Sequence, residues 1–309
     1  MYLRNIIVSI ITTVVLSGCN DDIFVEETTP SAFSVELEGD GGLASVRFQP
    51  KGLQTMGISL LSGTPTVAYY GKDGNQLPRE SPASEIRRIT CTTRWSAMDI
   101  TVDGDRLLFR SVENASGQGI DVLLTLDYGY ASEEIAIREV PGEPVQIGPV
   151  TYDASMMRVS DGGVLRRTES FTNNSPIYQT LLLRPYYVVP CNFRFVPDVK
   201  WATNIEVQAV LPTLSDGGVW QIPDTPTRPV LLNVREEFTP SWLDTGLELP
   251  LDTPPHTTLR IGYSVNYSTV NVPFSVTFTL PVSGTEYVVG GTCTLLAPVS
   301  YEITSTDVS

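Results

Sequence analysis

The sequence predicts an all-β protein, built as two tandem antiparallel β-sandwiches behind a short N-terminal leader. Three observations lead there. Apolar and polar residues alternate at period two in many short runs, the mark of a strand with one buried and one wet face. Asp-Gly, Gly-Gly and Pro signals punctuate those runs at regular spacing. No stretch beyond residue 18 has helical periodicity, and the remainder of about 290 residues is too long for one ordinary sandwich.

The leader comes first. Arg4 is followed by an apolar run from Ile6 to Leu16, broken by Ser9, Thr12 and Thr13. That run fits a signal-peptide core and falls short of the roughly 20 apolar residues that span a bilayer. It ends in Leu16-Ser17-Gly18-Cys19, which resembles the lipobox of bacterial lipoproteins. The resemblance implies cleavage after residue 18 and a lipid anchor on Cys19, so that the membrane is a partner through that lipid. Several acyl chains on one residue hold far more firmly than one, because each buried CH₂ contributes ~0.8 kcal/mol. Asn20-Asp21-Asp22 and Glu26-Glu27 follow, in a stretch from 19 to 31 read as a flexible tether. This acidic stretch is similar to the surface-export signal of Gram-negative lipoproteins. It implies an outer-membrane, lipid-anchored, cell-surface location.

The first sandwich is expected over residues 32–142. Phe33–Leu37 and Ala44–Phe48 both alternate, and Glu38-Gly39-Asp40-Gly41-Gly42 between them reads as a hairpin turn. Further strands are expected at Val67–Tyr70, Ile86–Thr92, Met98–Val102, Arg106–Val112, Ile120–Tyr128 and Glu133–Val140, with Asp103-Gly104 as a tight turn. Pro141-Gly142-Glu143-Pro144 ends the pattern, since proline cannot donate to a ladder. The segment from Phe33 to Pro141 resembles a BACON domain, a small immunoglobulin-like sandwich. The features are Gly41-Gly42 before a strand, Trp95 after Thr92-Thr93, and the run Leu107–Gly117 leading to Val122–Leu126 and Glu133–Ile137. Asn114 fits that family. Gly119 or Ile120 stands where it has an Arg, Glu139 replaces its closing Gln, and Ser62–Ser84 reads as an insertion. The resemblance implies a sandwich fold and a setting among carbohydrate-handling surface proteins.

The second sandwich is expected over residues 149–309. Its strands are read at Met157–Ser160, Val164–Ser170, Gln179–Val189, Asn192–Val196, Ile205–Leu211, Pro229–Val234, Thr257–Tyr267, Pro273–Leu280 and Glu286–Leu296. Asp161-Gly162-Gly163 and Asp216-Gly217-Gly218 read as turns.

Composition narrows the function. Residues 1–18 carry one charge, Arg4, so the remainder holds 19 basic and 35 acidic residues, a net −16. Such a surface repels nucleic acid, which is not expected as a partner. Cys91, Cys191 and Cys293 are widely spaced and odd in number, which favours buried free thiols over a bridge. His256 is the sole histidine, in the loop Thr253-Pro254-Pro255-His256, with no G-x-S-x-G around any serine. A metal site lacks ligands of the right kind, since Asp103-Gly104-Asp105 and Asp73-Gly74-Asn75 read as turns. No glycine-rich phosphate loop is present, and no cofactor is expected. Glu236-Glu237, as strand neighbours, point to opposite faces and do not make a catalytic pair.

Aromatic residues remain. Trp220 and Trp242 lie in Pro-rich segments and are the candidate ligand-binding residues, because sugar rings stack their C–H faces on such side chains. The alternative for both is a plug at the end of the sandwich core. Tyr69-Tyr70 and Tyr186-Tyr187 are weaker candidates, Trp95 is read as core, and Trp201 is unassigned. Three functions stand in order. The first is a non-catalytic surface lipoprotein binding or presenting polysaccharide or mucin glycans, with other surface proteins as possible neighbours. The second is a fimbrillin-type pilus anchor or subunit, and the third a carbohydrate-active enzyme.

Overall fold

The computed structural model describes residues 30–62, 65–187 and 189–308. Cys19 and the leader lie outside the described residues. The all-β reading holds: the described residues form strands and two 3-10 turns, Ala154–Met156 and Lys200–Ala202, with no α-helix among them.

The first sandwich is made by residues 34–139. One sheet has the order Ser34–Leu37, Ser132–Glu139, Ile120–Asp127, Thr55–Leu60. The other runs Leu43–Arg47, Arg106–Asn114, Ser96–Asp103, Arg88–Thr92, Thr66–Tyr70, Gln76–Leu77. Alternate residues of both sheets meet in one core, including Val122, Leu124 and Leu126 from one side and Leu107 and Phe109 from the other. Each such burial contributes ~1.5–3 kcal/mol. Residues 30 and 31 already belong to this body, since the amides of Ser31 and Arg47 bond to each other's oxygens at 2.9 Å.

Two expectations change here. Phe33–Leu37 and Ala44–Phe48 do not form a hairpin. Ser34–Leu37 runs parallel to Ser132–Glu139, while Leu43–Arg47 pairs antiparallel with Arg106–Asn114 in the opposite sheet. Val35, Leu37 and Val46 thereby face one core from two sides, and Glu38–Gly42 crosses between the sheets. A side chain at Gly39 would meet Gly142 N at 2.3 Å and Val140 O at 2.4 Å, so glycine is required there for backbone approach. The insertion Ser62–Ser84 is also part of the sheet, because Thr66–Tyr70 pairs with Arg88–Thr92. Tyr69 is buried, and its hydroxyl accepts the Ile58 amide at 3.2 Å.

The second half is organised by two long strands, Thr257–Thr279 and Glu286–Asp307, joined at a turn where Gly284 has φ +67°. Segments expected to be separate strands fuse. Thr257–Tyr267 and Pro273–Leu280 are one strand because the missing N–H of Pro273 faces the gap between Thr151–Tyr152 and Arg158–Asn173, where no ladder bond is due. On that side its carbonyl accepts the Asp153 amide at 3.0 Å. Met157–Ser160 and Val164–Ser170 likewise merge into Arg158–Asn173. The expected turn at Asp161–Gly163 is a bulge in it, with Gly163 at φ +90° and its amide on Asp161 Oδ1 at 2.8 Å.

Along Thr257–Thr279 the buried apolar residues are Leu259, Ile261, Tyr263, Val265 and Tyr267, then Val270, Val272, Phe274, Val276 and Phe278. The parity changes, so the strand buries one face near its start and the other near its end. The flanking strands absorb the change with register shifts at the same level. Two apolar clusters result. One holds Leu183, Leu259, Ile261 and Tyr263, and the larger holds Phe193, Phe195, Phe274, Phe278 and Leu295 among others.

Trp95 is not part of the first core. It leaves its own sandwich and packs on the larger second cluster, 5.3 Å from Trp201, 5.5 Å from Tyr287 and 5.8 Å from Phe278 between ring centres. The Arg94 guanidinium stands 4.0 Å over Trp201. The carboxylate of buried Glu113 accepts the Ser283 amide at 3.2 Å. The Pro141–Pro144 segment is fastened as well: the Gly142 amide donates to Asn114 O at 2.9 Å and the Glu143 amide to Asp40 Oδ2 at 2.8 Å.

Candidate functional site

Between residues 206 and 242 the chain builds small ladders instead of long strands. Glu206–Ala209 pairs with Arg228–Leu231, and Thr213–Leu214 with Trp220–Gln221. The expected turn at Asp216–Gly218 closes the second pair, with Gly218 at φ +75° and its amide on Ser215 O at 2.8 Å. Pro212, Pro223 and Pro226 lie between the ladders and each lacks an N–H, while Pro229 lies within one, opposite Gln208. The Thr225–Pro226 peptide is cis.

These segments and Phe238–Trp242 enclose an open cavity of about 620 Å³. Trp242 and Phe238 give it an aromatic wall, while Asp216, Gln221, Arg228 and Ser241 bring polar groups to its border. Trp242 is half-buried. Its ring meets Trp220 edge-on at 5.3 Å and 87°, and Phe238 at 6.3 Å. Its indole N–H points to Pro298 O at 3.5 Å. Trp220 does not line the cavity; it packs on Trp242 and the larger cluster. The two tryptophans are thus brought together, one at the wall and one behind it.

Arg228 is held in place. Its guanidinium lies 3.6 Å from Glu236 Oε2 and 5.0 Å from the Phe193 ring centre. Glu236 Oε1 accepts the Leu231 amide at 2.9 Å, so this carboxylate is committed to the end of the preceding strand, Arg228–Leu231. Glu237 is exposed, as expected of its neighbour on a strand.

Other residues singled out in the sequence do not converge on this cavity. His256 is exposed in a turn at φ +50°, its amide on Ser175 O at 3.3 Å. Asp103-Gly104 and Asp73-Gly74-Asn75 close strand pairs, with Gly104 at φ +60° and Gly74 at φ +80°. The Asn75 amide donates to Asp73 at 3.1 Å and holds that carboxyl below its usual range. No group of three or more His, Cys, Asp or Glu that could hold a metal occurs among the described residues. Cys91, Cys191 and Cys293 are free and buried. Burial raises Cys91 and Cys293 to about 12 and Cys191 to about 11, so all three stay as thiols.

Sequence reasoning missed Phe238, which joins Trp242 at the wall, and the fixed Arg228–Glu236 pair. Arg228 and Glu236 come from separate short strands and Phe238 follows the second of them, and only their Pro-rich surroundings hinted at a built loop region.

No protein-family description and no curated protein matches this chain. Among solved structures it is similar to a lamprey immune protein, with 12% identity, 91% of this chain and 96% of that one covered, and a TM-score of 0.38. A protein from Bacteroides thetaiotaomicron matches at 13% identity over 36% of this chain and 77% of that one, TM-score 0.22. The parasporin-2 toxin of Bacillus thuringiensis, described as recognising cancer cells, matches at 12% identity over 52% of this chain and 72% of that one, TM-score 0.21. TM-scores this low carry no property over to this chain.

Proposed function

We propose that this chain is a non-catalytic, lipid-anchored surface protein that binds carbohydrate in the cavity beside Trp242. One observation carries the reading: an open cavity of about 620 Å³ combines an aromatic wall with a polar border. That size lies within the ~300–1,000 Å³ of small-ligand sites. The combination suits a sugar, whose C–H face needs an apolar partner and whose hydroxyls need donors and acceptors. Prolines and the Arg228–Glu236 pair hold the walls, so little order is lost on binding. Leu16-Ser17-Gly18-Cys19 supplies the anchor and the acidic residues after it the route to the surface.

Native gels cast with plant and host polysaccharides test this reading, using the mature chain solubilised in detergent. At least one polysaccharide is expected to retard the protein, and Trp242→Ala to lose that retardation while keeping native strand content by circular dichroism. An unretarded protein across the panel sinks the carbohydrate reading. Mass spectrometry of the same preparation is expected to find acyl chains on the peptide that begins at Cys19.

A further inference from the structure

From the groove around Phe238–Pro240, we propose that the site takes a neutral glycan several units long, gripped on both sides of that segment. This rests on the carbohydrate reading above and names its ligand class. Phe238, Thr239 and Pro240 line a second cavity, of about 540 Å³, as well as the first. Thr239 stands exposed between the two. The second cavity repeats the composition of the first, with Tyr187 and Leu243 as apolar surface and Arg184 and Glu248 as polar border.

Tyr187 is exposed, at 58%, yet its loop is fixed. Arg167 donates to Tyr187 O at 2.7 Å and to Arg184 O at 2.5 Å, and its guanidinium lies 4.3 Å over the Tyr263 ring. Tyr186, beside it, also lines the cavity and meets Tyr301 edge-on at 5.2 Å. An exposed aromatic ring on a braced loop is a stacking surface whose order precedes binding. Two such cavities with a shared rim match a chain ligand better than a single terminal sugar.

Charge selects neutral over acidic glycans. The cations lining the two cavities are Arg184 and Arg228. Glu248 accepts from Arg184 at both Nε, 2.9 Å, and a terminal nitrogen, and Glu236 faces Arg228. An anionic sugar would have to displace a carboxylate in either cavity, against a chain whose net charge is −15.

Calorimetry on the mature chain in detergent decides, with malto-, manno- and galacto-oligosaccharides of two and of eight units, and oligogalacturonate of eight. One neutral octamer is expected to bind at least tenfold more tightly than its dimer. Tyr187→Ala should erase that gain and leave the dimer affinity unchanged, and Tyr187→Phe should keep it. Equal affinity for dimer and octamer overturns the two-cavity proposal and leaves the carbohydrate reading standing. So does an octamer affinity untouched by Tyr187→Ala. Oligogalacturonate binding as tightly as the neutral octamer overturns the neutral class. Binding of no sugar at all overturns the carbohydrate reading and this proposal with it.

Discussion

Ser111 has one hydroxyl hydrogen and two acceptors within reach, Gly39 O at 2.9 Å and Glu139 Oε1 at 2.5 Å. It cannot donate to both. A protonated Glu139 resolves this by donating to Ser111 Oγ, which frees the Ser111 hydrogen for Gly39. Glu139 is almost wholly buried, and that burial raises its pKa to about 7 from the ordinary 4.5. The folded protein therefore keeps a proton that the unfolded chain releases near 4.5. Stability from this site is greatest below pH 4.5 and falls as pH rises to 7, by up to about 3 kcal/mol. Glu139→Gln keeps the shape and supplies an N–H to Ser111. It is expected to be more stable than the parent at pH 8 by that order, with the difference fading toward pH 4.5, as read from urea midpoints at several pH values. A difference that does not change with pH would show that Glu139 is not held neutral. At this scale the sequence shows an acidic residue at the end of an alternating strand but not its partner, because Ser111 lies on a different strand.

Several strands with one wet face were legible in the sequence. Glu133–Val140 is found as Ser132–Glu139, and Asn192–Val196 as Asn192–Pro197. Thr55–Leu60 was missed because it alternates for too short a run. Connections were less legible. Glu38–Gly42 has the composition of a hairpin turn, and composition does not say whether the next strand stays in the sheet or crosses the core. Its role as a crossing gives a prediction. Gly39→Ala forces a methyl against the backbone of Val140–Gly142, which cannot swing aside as a side chain would. A loss of ~1–3 kcal/mol is expected, the usual range for overpacking, measured by denaturant midpoint. A neutral outcome would mean that Pro141–Pro144 yields easily, in spite of its bonds to Asn114 and Asp40. The candidate site was half legible for the same reason. Trp242 stood out by type and proline-rich context. Arg228 reaches the cavity through the pairing of a short strand with Glu206–Ala209, Phe238 follows a short strand with its amide on Cys191 O, and Tyr187 was hidden in a run that reads as one strand from Gln179 to Val189.

Across the whole molecule, sequence reading separates the halves more sharply than the structure does. Trp95 reads as core from the sequence. Its ring packs on the larger cluster of the second half, and only the tertiary arrangement reveals which core it serves. The strand pair Thr257–Thr279 and Glu286–Asp307 has a related effect. It forms a wall of both apolar clusters in the second half, and its turn at Ser283 touches Glu113 of the first. The amides in its central stretch cannot open without loosening packing at either end. Hydrogen exchange there is expected to be governed by opening of the whole second half, with the cluster around Leu259 and the cluster around Phe278 exchanging at one common rate. Separate rates would mean that the register shifts near Tyr267 act as a hinge. In the first case, a ligand clamped in the cavity beside Trp242 would slow exchange at the distant Leu259 end as well. A ligand held at Trp242 would then be registered along the full length of the ribbon.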